Sequence, residues 1–299
     1  MNTSTQNELI YIFRLTPKIS LIWTGLGSLL LILAFSSASW FYGEIHGQSS
    51  LSFSLESQDN FWQNILPLLV FFAILFGTTV IHELVHGIAF AAFGGSPRYG
   101  FKVKFLLPLA YATSPGDYFR RNAFIIIGLA PLIVIDVVCL LLLAIFPQTS
   151  WLIWVIAFNT AGAIGDIWIA VQLLRCPKSV QVEDREEGMA IYAPPNITRR
   201  QLPFSRTNNK SSSIALKLLN FIIMTLALIV SASFLLVPIL KILNVPSFII
   251  GNNNFWILRW ENTSKSFGFG FNFFSILILT IVFLLLSIIL SKFLHKNSH

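Results

Sequence analysis

His82 and His86 stand four residues apart, with Glu83 directly after the first, in the run His82-Glu83-Leu84-Val85-His86. On a helix, residues i and i+4 leave from one face, so two imidazoles at this spacing can grip one cation. Glu83 then projects beside the cation without having to bind it. From there it can take a proton from a water, which is the arrangement of a zinc-dependent hydrolase. The setting sharpens the reading. The three ionisable residues interrupt a long apolar segment, and each charged group at mid-membrane depth costs on the order of 2.5–3.5 kcal/mol. A bound metal, with one carboxylate kept for chemistry, compensates that cost.

Two histidines and a water leave one protein ligand to be found. The other histidines, His46, His295 and His299, fall beyond the apolar segments. The remaining candidates inside them are Asp136 and Asp166. Depth favours Asp166, because it and His86 lie at similar distances from the ends of segments that run in the same direction. Asp136 lies on a segment of opposite direction and nearer its far half. Asn159, two helical turns before Asp166, is a candidate to hydrogen-bond a substrate carbonyl or a ligand.

These residues need helices to carry them, and the composition supplies helices that cross a membrane. Of 299 residues, 55% are hydrophobic and 11% charged, where a soluble domain carries roughly 25% charged residues. The apolar residues form six long blocks, at 20–42, 61–93, 123–146, 151–174, 214–243 and 270–292. Each is long enough for a hydrocarbon core about 30 Å thick. Cys139 and Cys176 give no disulfide framework and read as free thiols. The first block reads as a retained helix rather than a cleaved leader.

The basic residues set the orientation. Arg14 and Lys18 precede the first block, five Lys or Arg lie within 94–122, and seven within 175–213. By the positive-inside rule both termini and these loops are cytosolic. Because this charge flanks helices, it does not point to nucleic acid. The 175–213 stretch reads as a cytosolic linker, with Glu183-Asp184-Arg185-Glu186-Glu187 as a solvated face. Between the motif and the third block, 99–105 and 109–113 alternate apolar and polar residues. They predict a short hairpin at the cytosolic surface that either clamps an extended substrate or caps the bundle. Gly87, Ala91 and Gly95, like Ala161 and Gly165, repeat every four residues and predict close helix approach.

The order of these features carries a resemblance: His82–His86 at the end of a long helix, Tyr111-Ala112, Gly128-Leu129-Ala130-Pro131, then Asn159 with Gly165-Asp166. Over about residues 65–190 the chain resembles the "Putative zincin peptidase" family of membrane proteins, related to site-2-type intramembrane zinc metalloproteases. The resemblance implies Zn²⁺ bound by His82, His86 and Asp166, with Glu83 as catalytic base.

The expected architecture is an all-α polytopic membrane protein of about six transmembrane helices with a short cytosolic-side β-hairpin. Residues 1–60 would hold the tail, first helix and outer loop; 61–190 the zincin-like core; 191–299 a linker and two C-terminal helices. The expected activity is hydrolysis of peptide bonds in membrane-embedded or membrane-associated protein substrates, at the plasma membrane. The alternative is a non-catalytic membrane protein with a structural metal or polar cluster. A transporter with a midplane ion site predicts an internal repeat, and the sequence has none.

Overall fold

A computed structural model describes residues 7–47, 61–104, 107–185, 188–203, 243–252, 255–263 and 267–272, with isolated positions elsewhere. The chain divides into two compact units. One comprises Met1–Trp23, Leu30–Ser50 and Ala73–Asn209; the other comprises Thr24–Leu29, Leu51–Phe72 and Lys210–His299. The expected blocks at 214–243 and 270–292 lie almost wholly outside the described residues.

In chain order the elements up to the hairpin are β1 (Glu8–Phe13), α1 (Pro17–His46), α2 (Phe61–Ala92), β2 (Arg98–Lys104) and β3 (Leu107–Arg120). They are followed by α3 (Arg121–Ile145), α4 (Leu152–Gly162), α5 (Ile164–Leu174), β4 (Gln181–Arg185) and β5 (Gly188–Ala193). Among the described residues three helical stretches are long and apolar enough to cross a membrane: Ile22–His46, Leu69–Ala92 and Arg121–Ile145. The fourth expected crossing is broken. Helices α4 and α5 meet at a 43° bend, and the pair counts as one span only if taken together.

The side chains of α3 show why this bundle suits lipid. Phe124, Ile127, Pro131, Ile135, Cys139 and Leu143 form a buried stripe at helical spacing. Ile126, Ile133, Val137, Leu141 and Ile145 form an exposed one on the other side. A contiguous exposed apolar stripe is costly in water and neutral in hydrocarbon.

The expectation of an all-α chain with one hairpin is corrected by the strands. Five of them form an antiparallel sheet in the order β1-β5-β4-β3-β2. The hairpin of β2 and β3 is present, but β3 runs on to Arg120, bulging between Ser114 and Phe119. The tail strand β1 pairs with β5, inside the segment read as a linker. Period-2 burial explains the folding of that segment. Val180, Val182, Met189, Ile191 and Ala193 face inward and join Phe13, Phe90, Phe119, Phe124, Ile127 and Leu173 in one core. The acidic run is corrected as well: Glu183 is buried. Its carboxylate accepts from Gly116 N at 3.0 Å, Arg185 Nε at 2.8 Å and the Tyr192 hydroxyl at 2.7 Å. Burial pushes the Glu183 carboxyl up, and these hydrogen bonds more than offset it, leaving it below the usual range.

The small-residue stripes serve other neighbours than expected. A methyl group at Gly87 would overlap the Tyr99 ring of β2, and one at Gly165 would press on Trp23 of α1 at 3.0 Å. They let an aromatic ring sit against a helix backbone instead of joining α2 to α5. In the second unit, β6 (Phe248–Gly251), β7 (Trp256–Asn262) and β8 (Phe267–Phe271) form an antiparallel meander. Trp260 is fully buried there and donates its indole N–H to Val245 O at 3.0 Å.

Because Ile191 is fully buried at the centre of β5, Ile191→Ala should cost about 2–5 kcal/mol. Thermal unfolding of the detergent-purified protein should fall accordingly, and limited proteolysis should begin to cut within 175–203.

Candidate metal centre

Helix α2 presents His82 and His86 on one face, both buried. Their ring centroids are 4.9 Å apart at an interplanar angle of 76°. Each ring turns its Nε2 toward the same oxygen: Asp166 Oδ2 lies 3.2 Å from His82 Nε2 and 3.5 Å from His86 Nε2. Asp166 sits in the first turn of α5, just past the break after Gly162. There the unpaired N–H groups and the helix dipole favour a carboxylate.

The other nitrogen of each ring is held as well. His82 Nδ1 hydrogen-bonds Asn159 Oδ1 at 2.8 Å. His86 Nδ1 hydrogen-bonds the carbonyl of Ile127 at 3.1 Å. That carbonyl is available for a reason written in the sequence. In a regular helix it would accept from the N–H of residue 131, but residue 131 is proline and has none. Pro131 therefore leaves one acceptor free inside α3, and the imidazole of His86 takes it. A peptide or amide oxygen can only accept, so each Nδ1 carries a proton, which leaves Nε2 as the nitrogen that can offer a lone pair to a cation held between the rings and Asp166.

This donor set fits zinc. Two imidazole nitrogens and a carboxylate oxygen are ligands zinc takes, at bonds of about 2.0–2.2 Å. On a tetrahedral ion such ligand atoms lie roughly 3.3–3.5 Å apart, close to the 3.2 and 3.5 Å seen here. All three ligand atoms lie within 4.8 Å of one another. Among the described residues no fourth His, Cys, Asp or Glu joins the group. Three protein ligands with an open position is the pattern of a catalytic site rather than a structural one.

Glu83 is held beside the group. Its Oε2 accepts from the backbone N–H of Ala112 in β3 at 2.8 Å. Strand β4 pairs with β3 only from Ser114 to Arg120, so the Ala112 N–H has no strand partner on that side and the carboxylate takes its place. Of the other sequence candidates, Asn159 meets His82 itself and the rest go elsewhere. Asn159, fully buried, uses both amide atoms on protein groups: Oδ1 on His82, and Nδ2 on Pro131 O at 3.2 Å and Asp136 Oδ1 at 2.9 Å. Asp136, the other candidate ligand, receives Asn159 and Thr160 instead. His46 hydrogen-bonds the Leu143 carbonyl at 2.7 Å, and His295 and His299 lie outside the described residues.

Sequence reasoning missed Asp184. It pairs with Ser114 across β3 and β4, two residues from the Ala112 that holds Glu83. Burial pushes its carboxyl up to about 7; His86 works against that rise, and the carboxylates of Asp166, Glu83 and Glu183 add to it. The residue was hidden in a charge run that resembles any solvated turn. Only the period-2 pattern of Val180 and Val182 before it could have placed it on the inward face. The Ala112 N–H was not readable at all, since it is left open by where a neighbouring strand stops, whereas Pro131 is the signal that could have pointed to the Ile127 carbonyl.

Comparison with known proteins agrees with the geometry. Residues 75–181 match a family model described as "Putative zincin peptidase", a stretch that runs from the motif helix to the start of β4. No curated protein and no solved structure gives a match.

Two outcomes follow for the ligand shell. Pro131→Ala restores an N–H that competes for the Ile127 carbonyl and loosens His86. Zinc affinity, read by chelator competition, should fall about tenfold. For Asp184 the folded carboxyl is raised above its ordinary 3.8, so the fold favours the neutral form. The stability this contributes is complete below about pH 4 and is lost as pH rises to about 7. The unfolding temperature of metal-free Asp184→Asn protein should therefore gain on the parent progressively over that window, with a constant difference above it.

Proposed function

We propose that this chain is an intramembrane zinc metallopeptidase that hydrolyses peptide bonds of membrane-embedded or membrane-associated protein substrates. The observation that carries the reading is the convergence of both Nε2 atoms on Asp166, with the Glu83 carboxylate anchored beside them by Ala112 N–H. The match to a peptidase family over residues 75–181 supports it.

Zinc bound there would polarise the scissile carbonyl and acidify the attacking water. His82, His86 and Asp166 hold the position, with Nδ1 of each ring engaged so that Nε2 faces inward. Glu83 takes the proton of the water as its oxygen adds to the carbonyl carbon. The same carboxyl then delivers that proton to the amine as the C–N bond breaks. A helical substrate hides its amides, so the substrate must be extended. The backbone of Leu107–Thr113 has β2 on one side and no strand on the other among the described residues. That second edge runs beside Glu83, where an extended chain can pair with it.

The membrane setting rests on three helices among the described residues that are long and apolar enough to cross. His86 lies six residues before the end of the span Leu69–Ala92, about 9 Å along the helix. We assign this end, both termini and the five-stranded sheet to the cytosol, in a plasma membrane. Supporting this, β1, the β2–β3 hairpin and the β4–β5 hairpin come from the three segments that the basic residues place on one side, and they meet in one sheet. The competing reading, a closed structural metal site, is disfavoured because Asp136 is engaged by Asn159 and Thr160.

The test is purified full-length protein with stoichiometric metal analysis and a peptidase assay. Glu83→Gln should keep one zinc per chain and lose at least about 100-fold in hydrolysis. Full activity in that variant would remove Glu83 from the mechanism, and parent protein that binds zinc without hydrolysing any substrate would favour the structural site.

A further inference from the structure

We propose that Asp136 is a positioning residue for the metal centre: acting through Asn159, it fixes the tautomer of His82 that leaves Nε2 bare. This rests on the reading of His82 as a metal ligand and adds a third layer to that site. The chain of contacts is continuous. Thr160 Oγ1 donates to Asp136 Oδ2 at 2.8 Å, Asn159 Nδ2 donates to Asp136 Oδ1 at 2.9 Å, and Asn159 Oδ1 lies 2.8 Å from His82 Nδ1.

Each link leaves one orientation. An ionised carboxylate only accepts, so the amide of Asn159 must turn its NH2 group toward Asp136. The Pro131 carbonyl, also an acceptor only, meets the same NH2 group. The amide oxygen then faces His82, and it too can only accept, so the proton of the neutral ring sits on Nδ1. Were the amide flipped, its NH2 group would face Nδ1, the ring proton would move to Nε2, and His82 could not bind a cation. Asp136, the nearer of the two acceptors on that NH2 group, thus holds the ring in its competent form from two residues away. This also accounts for an acidic residue in the middle of α3, where the hydrocarbon makes it costly. Asn159 at 1% exposure has no water to substitute for the missing partner.

The experiment measures zinc affinity of detergent-purified full-length protein by chelator competition. Asp136→Ala should weaken zinc about tenfold or more. Asp136→Asn should stay within about threefold, because its amide oxygen can accept from Asn159 while its NH2 group serves Thr160 Oγ1. Asn159→Leu should weaken zinc as much as Asp136→Ala, and the double variant should lose no more than either single change. Multiplying losses, or an Asp136→Ala protein with lowered stability and unchanged zinc affinity, would overturn the proposal. A second readout needs no metal. In ¹⁵N-histidine spectra of the metal-free parent, His82 Nδ1 should carry a proton, and Asp136→Ala should shift Nδ1 toward the unprotonated form. A His82 ring with a bare Nδ1 in the parent overturns the proposal even if zinc binds. A parent that fails to bind zinc sinks the peptidase reading, and the tautomer then decides this one alone.

Discussion

Everything in the site depends on two imidazole rings being held so that their Nε2 lone pairs meet at one point. A free imidazole rotates and exchanges tautomers, and a cation site built on free rings would lose affinity to both motions. Here the Nδ1 of each ring is tied to an acceptor on a different helix, one a backbone carbonyl of α3 and one a side-chain amide of α4. Asp166 completes the group from α5. Four helical segments therefore have to be in register before the site exists, and the packing is arranged around that demand.

Two irregularities in the helices make the register possible. Pro131 withdraws one N–H from α3 and thereby lends a carbonyl to His86. The 43° bend between α4 and α5 lets Asn159 and Asp166 approach the same ring from two directions, with Asp166 at a fresh helix N-terminus. Arg121, buried at the start of α3, donates to the Cys176 carbonyl at 2.6 Å just past the end of α5. It ties the far end of the Asp166 helix to the helix that carries Ile127 and Asp136. A regular α3 would have satisfied the Ile127 carbonyl internally and left His86 Nδ1 without that partner.

The sheet has a similar double role. Its inward face covers the lower bundle with Val, Ile, Met and Phe side chains, each worth roughly 1.5–3 kcal/mol on full burial. At the point where β4 ends, it leaves a main-chain N–H that anchors Glu83. The base of the proposed reaction is thus placed by a strand edge rather than by its own helix, next to an edge able to receive an extended chain.

By itself the sequence determined three apolar stretches long enough to cross a membrane, the β2–β3 hairpin and the spacing that puts His82 and His86 on one helix face beside Glu83. These are local facts, carried by apolar length, by alternation and by helical spacing. It also narrowed the partner carboxylate to two residues. The tertiary structure decided what those signals could not carry. It brought Asp166 to both rings and turned Asp136 and Asn159 into partners of each other and of His82. It also gathered β1, β4 and β5 into a sheet with β3, pairing residues as far apart as Glu8 and Ala193. Such pairings, and the main-chain groups of Ala112 and Ile127 that hold the site, depend on contacts between distant segments. Residue type and spacing record at most that Pro131 frees a carbonyl, not what meets it, because every amino acid but proline offers the same N–H, and all offer the same carbonyl.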